Sequence, residues 1–148
     1  MVFKEIHIRG AWVVDLKRLG DERGFFARAW CRDEFTARGI TGELSQANLS
    51  WSQRAGTIRG MHFQHAPHSE MKAVRCVHGK VFDVVLDLRP DSPTFCQWHG
   101  EELSSGNHRM LIVPEGCAHG FQSLEDSSEV FYLVSSAYAA ESEGGVRW

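Results

Sequence analysis

The stretch from Ile58 to Lys72 concentrates groups that move protons and stabilise anions: Arg59, His62, His65, His68, Glu70 and Lys72. On an extended strand successive side chains point to opposite faces. Ile58, Gly60, His62 and Gln64 are thus expected on one face and Arg59, Met61 and Phe63 on the other. His62 then stands among small or polar neighbours, the uncrowded position that a base acting on carbon needs. An imidazole titrates near neutrality and can accept a proton at pH 7. A neighbouring Lys or Arg would keep it neutral and stabilise an oxyanion forming on a substrate. Lys72 opens a second run, Lys72-Ala-Val-Arg-Cys-Val, after a polar connection broken by Pro67, and could return a cation to the same cavity. Taken alone, a strand histidine is more often a structural hydrogen-bonder.

A metal is the main competing use of these side chains. His62, His65, His68, Glu70, His78 and His119 supply donors, and His119 closes Pro114-Glu-Gly-Cys-Ala-His119. The pairing of two histidines on one strand face is spoiled, because Gln64 stands two residues after His62, and an amide is a poor transition-metal ligand. His65 and His68 fall in the proline-containing loop, where solvation is expected. No metal is expected.

The chain's tyrosines are Tyr132 and Tyr138. Either could be a core phenol, or an acid facing His62 across a lumen. The turn cluster Gly20-Asp-Glu-Arg-Gly offers Arg23 as a cation for phosphate and, just after it, Phe26 as an aromatic face for a base or sugar. Arg75, Lys80, Glu101 and Glu102 read as surface charge.

These groups need a scaffold, and the chain supplies strands. Lys80–Leu88 alternates, with Phe82, Val84, Leu86 and Leu88 on one face and Val81, Asp83, Val85 and Asp87 on the other. Short strands are expected in residues 6–16, 25–30, 43–52, 58–64, 72–77, 94–103, 109–113, 121–124 and 129–134. One helix, Arg32–Arg38, is expected to stop at Gly39. Many short strands with turn chemistry between them imply an all-β sandwich or barrel, in one domain spanning 1–148. Inward polar residues such as Asp83 and Asp87 must then be satisfied or line a wet cavity. A chain of 148 residues buries about two-thirds of its unfolded surface. The net charge of -3 and pI near 6.2 argue against nucleic-acid binding by bulk positive charge. No apolar run reaches membrane-spanning length, and the N-terminus carries no signal-peptide core. Cys31, Cys76, Cys96 and Cys117 lie far apart without a C-x-x-C pair, which suits a reduced, cytoplasmic protein.

Together these residues resemble the dTDP-4-dehydrorhamnose 3,5-epimerase family. The matching stretches are Gly20-Asp-Glu-Arg-Gly-Phe-Phe, Arg59-Gly-Met-His-Phe-Gln, Lys72-Ala-Val-Arg-Cys, Gly79-Lys-Val-Phe-Asp-Val, Asp87-Leu-Arg, Ser92-Pro-Thr-Phe and Trp98. They continue through Leu103-Ser, Ile112-Val-Pro-Glu-Gly-Cys-Ala-His-Gly-Phe, Tyr132, Tyr138 and Glu143-Gly-Gly-Val-Arg-Trp. The resemblance implies a cupin-type jelly roll with one or two short helices. It implies a homodimer acting without metal or other cofactor on a dTDP-linked 4-keto-6-deoxy sugar, epimerising C3, C5 or both. By this likeness His62 removes the proton beside the C4 ketone, Lys72 stabilises the enolate oxygen and Tyr132 returns a proton from the opposite face. Arg59 and His119 would contact the diphosphate or sugar, and Tyr138 would stack near the thymine. Arg23 would reach in from a partner subunit, with Phe26, Gln46, Asn48 and Glu143 completing the pocket. A single-position epimerase, a ketoisomerase or a catalytically weak sugar-nucleotide-binding cupin are the alternatives.

The chain departs from the family pattern in places. The family continues beyond the tryptophan matched by Trp148 with an aspartate that orients the base and a lysine that contacts substrate. Arg28 stands where the family commonly has a glutamate, and Glu70-Met71 replaces a small or amide pair.

Overall fold

The computed structural model describes residues 1–41 and 43–148. The strands are β1 (Val2–Glu5), β2 (Trp12–Asp15), β3 (Arg18–Asp21), β4 (Gly24–Ala27), β5 (Gln46–Ser52), β6 (Ile58–Gln64) and β7 (Lys72–His78). They continue with β8 (Lys80–Asp87), β9 (Trp98–Ser104), β10 (Met110–Val113), β11 (Cys117–Ser123), β12 (Ser128–Val134) and β13 (Glu143–Gly145). A short helix α1 (Arg32–Thr36) and a 3-10 turn (Ala140–Ser142) complete the described elements. Six strands form one sheet in the order β1-β2-β10-β7-β12-β5, and five form a second in the order β13-β6-β11-β8-β9. The β3–β4 hairpin pairs only with itself. This is the antiparallel, two-sheet architecture of a cupin-type jelly roll.

Strand alternation divides the apolar residues between two cores. Along β10, Leu111 and Val113 pack between the sheets with Val74, Cys76, Val81, Val85, Leu103 and Val130. Met110 and Ile112 face the other way, into a second core with Val14, Phe35, Met71 and Ala73 beneath α1. All four β10 residues are therefore buried, which explains a continuous apolar run in place of alternation. Burial of each such side chain contributes about 1.5–3 kcal/mol. Helix α1 is held chiefly by Phe35, which meets Phe3 edge-on at 5.3 Å, since its N-cap Cys31 makes no side-chain cap. The chain leaves the helical region at Gly39, whose φ of 72° suits glycine at a helix end.

Element positions differ from expectation in several places: residues 6–11 form no strand, β11 begins at Cys117 and β13 is additional. The helix stops short, at Thr36. A strand forms at Val2–Glu5, ahead of the expected one, because it completes the β2 edge with Phe3 opposite Val14. Residues 94–97 are turn, and β9 begins at Trp98. The cause of the last is Asp87: Ser92 Oγ and Thr94 Oγ1 donate to its carboxylate at 2.6 and 2.7 Å, and Arg89 donates through Nε and Nη2, each at 2.8 Å. Burial opposes the Asp87 charge, but these hydrogen bonds outweigh it and hold the carboxyl below the usual carboxylate range. Asp87 is thus satisfied by the turn that follows it.

Candidate active site

Register in the six-stranded sheet builds one wall of the lumen. Lys72 continues the inward row of Val74 and Cys76 on β7. It lies opposite Val134 of β12, which lies opposite Gln46 of β5. One step along, Tyr132 pairs with Asn48 on one side and Val74 on the other. Antiparallel partners share a face, so Lys72, Tyr132, Gln46 and Asn48 all project between the sheets. The Tyr132 phenol is half-buried; burial first, and then the charge of Glu70, raise it above the usual phenol range.

The opposite wall depends on an irregularity in β6. His62 pairs with His119, and Arg59 with Phe121, so two residues of β6, Gly60 and Met61, stand against Gly120 alone. This bulge cancels one step of alternation. Arg59 and His62 therefore share the inward face, contrary to the regular alternation expected from sequence, and Met61 is buried behind them. Gly60 makes the close approach possible: its φ is 101°, and a Cβ there would lie 2.6 Å from Gly120 Cα and His119 O. Arg59 spans the mouth to the other sheet, donating to Trp51 O at 2.9 Å and Ser52 Oγ at 3.2 Å.

Two adjoining cavities result. One of about 480 Å³ is lined by Ser50, Arg59, His62, Lys72, His119 and Tyr132. The other, of about 270 Å³, is lined by Gln46, Asn48, His62, Glu70, Lys72, Tyr132, Tyr138 and Glu143 among others. His62, Lys72 and Tyr132 are common to both. Such volumes suit a small-molecule ligand. The first is rich in cations, whereas the second carries amides and carboxylates.

Second partners hold these groups. Lys72 Nζ lies 3.1 Å from Glu70 Oε1, with both side chains nearly buried, and 3.5 Å from His62 O. His119 Nε2 donates to the two oxygens of Asp83 at 2.8 and 2.9 Å. Asp83 is fully enclosed; burial raises its carboxyl, and His119 and Lys72 oppose that shift. At the rim, Tyr138 OH donates to Glu143 Oε2 at 2.8 Å, and its amide donates to Gln46 Oε1 at 2.9 Å. That carboxylate raises the Tyr138 phenol. Gln64, where a metal site would want a second histidine, spends its amide on the chain: Nε2 donates to His68 O and Ala137 O, and Oε1 accepts from Ala139 N. His68 is not merely solvated, since its Nδ1 lies 2.9 Å from Ser142 Oγ.

Of the residues singled out from sequence, Arg59, His62, Lys72, His119, Tyr132, Gln46, Asn48, Tyr138 and Glu143 line these cavities. Arg23 and Phe26 do not. They sit on the separate β3–β4 hairpin, where Arg23 is tied to Asp21 at 2.6 Å and Phe26 is 66% exposed. Arg75 is not ordinary surface charge either, because its Nε is buried and unpartnered among the described residues. Sequence reasoning noted both carboxylates behind the cations, Glu70 and Asp83, but gave neither its partner. Glu70 stands two residues before Lys72, in the connection that leads into β7, and Asp83 is expected inward from its strand phase, but its pairing with His119 depends on register between β8 and β11.

An imidazole, an ammonium and a phenol lining one lumen inside a jelly roll are the groups an acid–base enzyme acting on a small molecule needs. Residues 5–148 match the family model described as dTDP-4-dehydrorhamnose 3,5-epimerase. The Salmonella typhimurium dTDP-4-dehydrorhamnose 3,5-epimerase is 40% identical over all of this chain and 81% of its own length. A dTDP-4-dehydrorhamnose 3-epimerase from Streptomyces niveus is also 40% identical, over 99% of this chain and 70% of its own. The crystal structure of the Bacillus anthracis 3,5-epimerase with TDP and pyrophosphate bound superposes with a TM-score of 0.95 at 42% identity, covering 99% of this chain and 85% of that one. The chain belongs to the dTDP-4-dehydrorhamnose 3,5-epimerase family of isomerases.

Proposed function

We propose that this chain epimerises a dTDP-4-keto-6-deoxy sugar at C3 and C5, with His62 as base, Lys72 as oxyanion stabiliser and Tyr132 as acid. The supporting observation is that these three side chains, from opposite sheets, line the same two adjoining cavities. His62 takes the proton from the carbon next to the C4 ketone. The electron pair moves into the enolate, whose oxygen is met by the Lys72 ammonium. Tyr132 then delivers its proton to the other face of that carbon, and imidazolium and phenolate reset by exchange with solvent. General acid–base assistance contributes roughly 10²–10⁴-fold, too little for a carbon acid alone, so the cation is essential.

Arg59 and His119 supply positive charge toward the diphosphate or sugar. Tyr138, Gln46, Asn48 and Glu143 form the rim against which the thymidine rests. Arg23 and Phe26 act across a homodimer. The exposed hairpin, with Leu19, Phe25 and Phe26 all open to solvent, supports that reading, as such a patch asks for a cover. Neither metal nor cofactor enters the scheme. No helix among the described residues is long and apolar enough to cross a membrane, and the enzyme works in the cytoplasm. The similarity to the Streptomyces 3-epimerase favours a second reading, inversion at C3 alone.

Proton NMR of dTDP-4-dehydro-6-deoxyglucose in D₂O with chelator-treated protein tests the proposal. Deuterium entering at C3 and C5 supports double epimerisation, and exchange confined to C3 supports the second reading. Unchanged substrate with binding shifts would overturn both and leave a sugar-nucleotide-binding cupin.

A further inference from the structure

The Lys72 ammonium does not stand free in the lumen. It carries three N–H donors, and protein acceptors already lie beside two of them: Glu70 Oε1 at 3.1 Å and His62 O at 3.5 Å. We infer that Glu70 is a positioning residue, which with the His62 carbonyl fixes two donors of Lys72 so that the third is presented to the substrate oxyanion. The inference rests on the epimerase reading above and adds to it a residue that contacts neither the base nor the reacting carbon.

Two effects compete here, and their sizes decide the outcome. A carboxylate beside the ammonium offsets part of its field at a forming enolate. Against that, a lysine side chain is among those with the most rotamer freedom to lose. At 10% side-chain exposure, an ammonium deprived of the carboxylate beside it is left desolvated without a counter-charge in ion-pair reach among the described residues and turns toward solvent. Positioning wins, since an oxyanion gains from a donor only when the donor is already aimed. The wider charge pattern agrees. Arg59, which lines the cavity beside Lys72, is a second cation that Glu70 does not engage. The Glu70 charge also helps to keep the Tyr132 phenol protonated, as an acid must be.

The test is a double-mutant cycle read by deuterium exchange into dTDP-4-dehydro-6-deoxyglucose, with thermal melting of each variant as the folding control. Glu70→Gln is expected to lower kcat by about 10–30-fold with KM within about twofold. Lys72→Met is expected to lower it by about 10²–10³-fold. The double variant should match Lys72→Met within about twofold, because Glu70 has nothing left to position. Glu70→Asp, which keeps the charge at shorter reach, should fall between Gln and wild type, and it decides the matter if Gln melts near the assay temperature. A Glu70→Gln variant at the wild-type rate overturns the inference. So does a double variant that loses the product of both factors, or a raised KM with unchanged kcat, which would make Glu70 a sugar ligand. If the wild-type protein shows no exchange, the epimerase reading fails and this inference with it. With wild-type exchange intact, the Glu70 arms judge this inference alone.

Discussion

The two walls of the lumen reach the same end by different means. On the six-stranded sheet, Lys72, Tyr132, Asn48 and Gln46 arrive by regular alternation and register. On the five-stranded sheet, Arg59 and His62 share a face only because Gly60 and Met61 bulge against Gly120. The regular wall is robust to side-chain change but offers only every second residue. The bulged wall brings two cationic or basic groups three positions apart to one cavity, at the cost of depending on two glycines. The irregular element therefore carries the proposed base, and the regular one the proposed acid and oxyanion donor. Bulges elsewhere serve the same purpose of re-aiming a side chain beside a site.

Removing one group from each wall should separate their roles. His62→Ala is expected to cut exchange by about 10³-fold or more, within the range of general base catalysis, while affinity for dTDP stays within a few-fold. Exchange at the wild-type rate would remove His62 from the mechanism. Tyr132→Phe should behave differently. The proton is still removed and returned on the His62 side, so deuterium enters a substrate of unchanged configuration. Inverted product should fall by about 10²-fold relative to that exchange. Equal loss of exchange and inversion would place Tyr132 and His62 in the same step.

Gly60→Ala breaks the comparison at its hinge. The added Cβ meets backbone at 2.6 Å, and the φ of 101° is one that L residues adopt at a cost. A loss of about 3 kcal/mol is expected, read as a lower denaturation midpoint with unchanged m-value. Activity should fall further than stability explains, since Arg59 and His62 can no longer share a face. Full activity in the folded variant would show that the bulge is incidental.

The same contrast explains what the sequence made legible. In Lys80–Asp87, two acids in the same phase as Val81 and Val85 announce inward carboxylates, and they are inward. The run Glu129–Val134 likewise gives the parity of Tyr132. Alternation failed at Arg59 because a bulge is a property of two strands, and its only local sign is a glycine inside a strand pattern. Arg23 and Phe26 could not be placed, because their hairpin joins neither large sheet and local turn chemistry says nothing of where it docks. The fates of Asp83 and Asp87 could not be separated either. One is satisfied by neighbours a few residues ahead and the other by His119 from another strand, a pairing that exists only once β8 and β11 are in register.

Asp83 gives the smallest effect, and the most diagnostic one. A carboxyl whose pKa is raised by burial loses folding stability as pH climbs from its unfolded value through its folded one, since the unfolded chain releases the proton more readily. Asp83→Asn removes that cost while keeping shape and an oxygen that accepts from His119 Nε2. Melting temperature is therefore expected to rise by a few degrees at pH 7 and to be unchanged near pH 3. Turnover should move the other way, by about tenfold, as His119 loses the charge behind it; hydrogen bonds to charged groups contribute about 1.5–3 kcal/mol. A gain in stability with a loss of activity would mark Asp83 as a group kept for function at a cost to the fold. A loss of both would make the His119–Asp83 pair a structural tie between β8 and β11. The bulged wall would then owe its geometry to that tie as well as to its glycines.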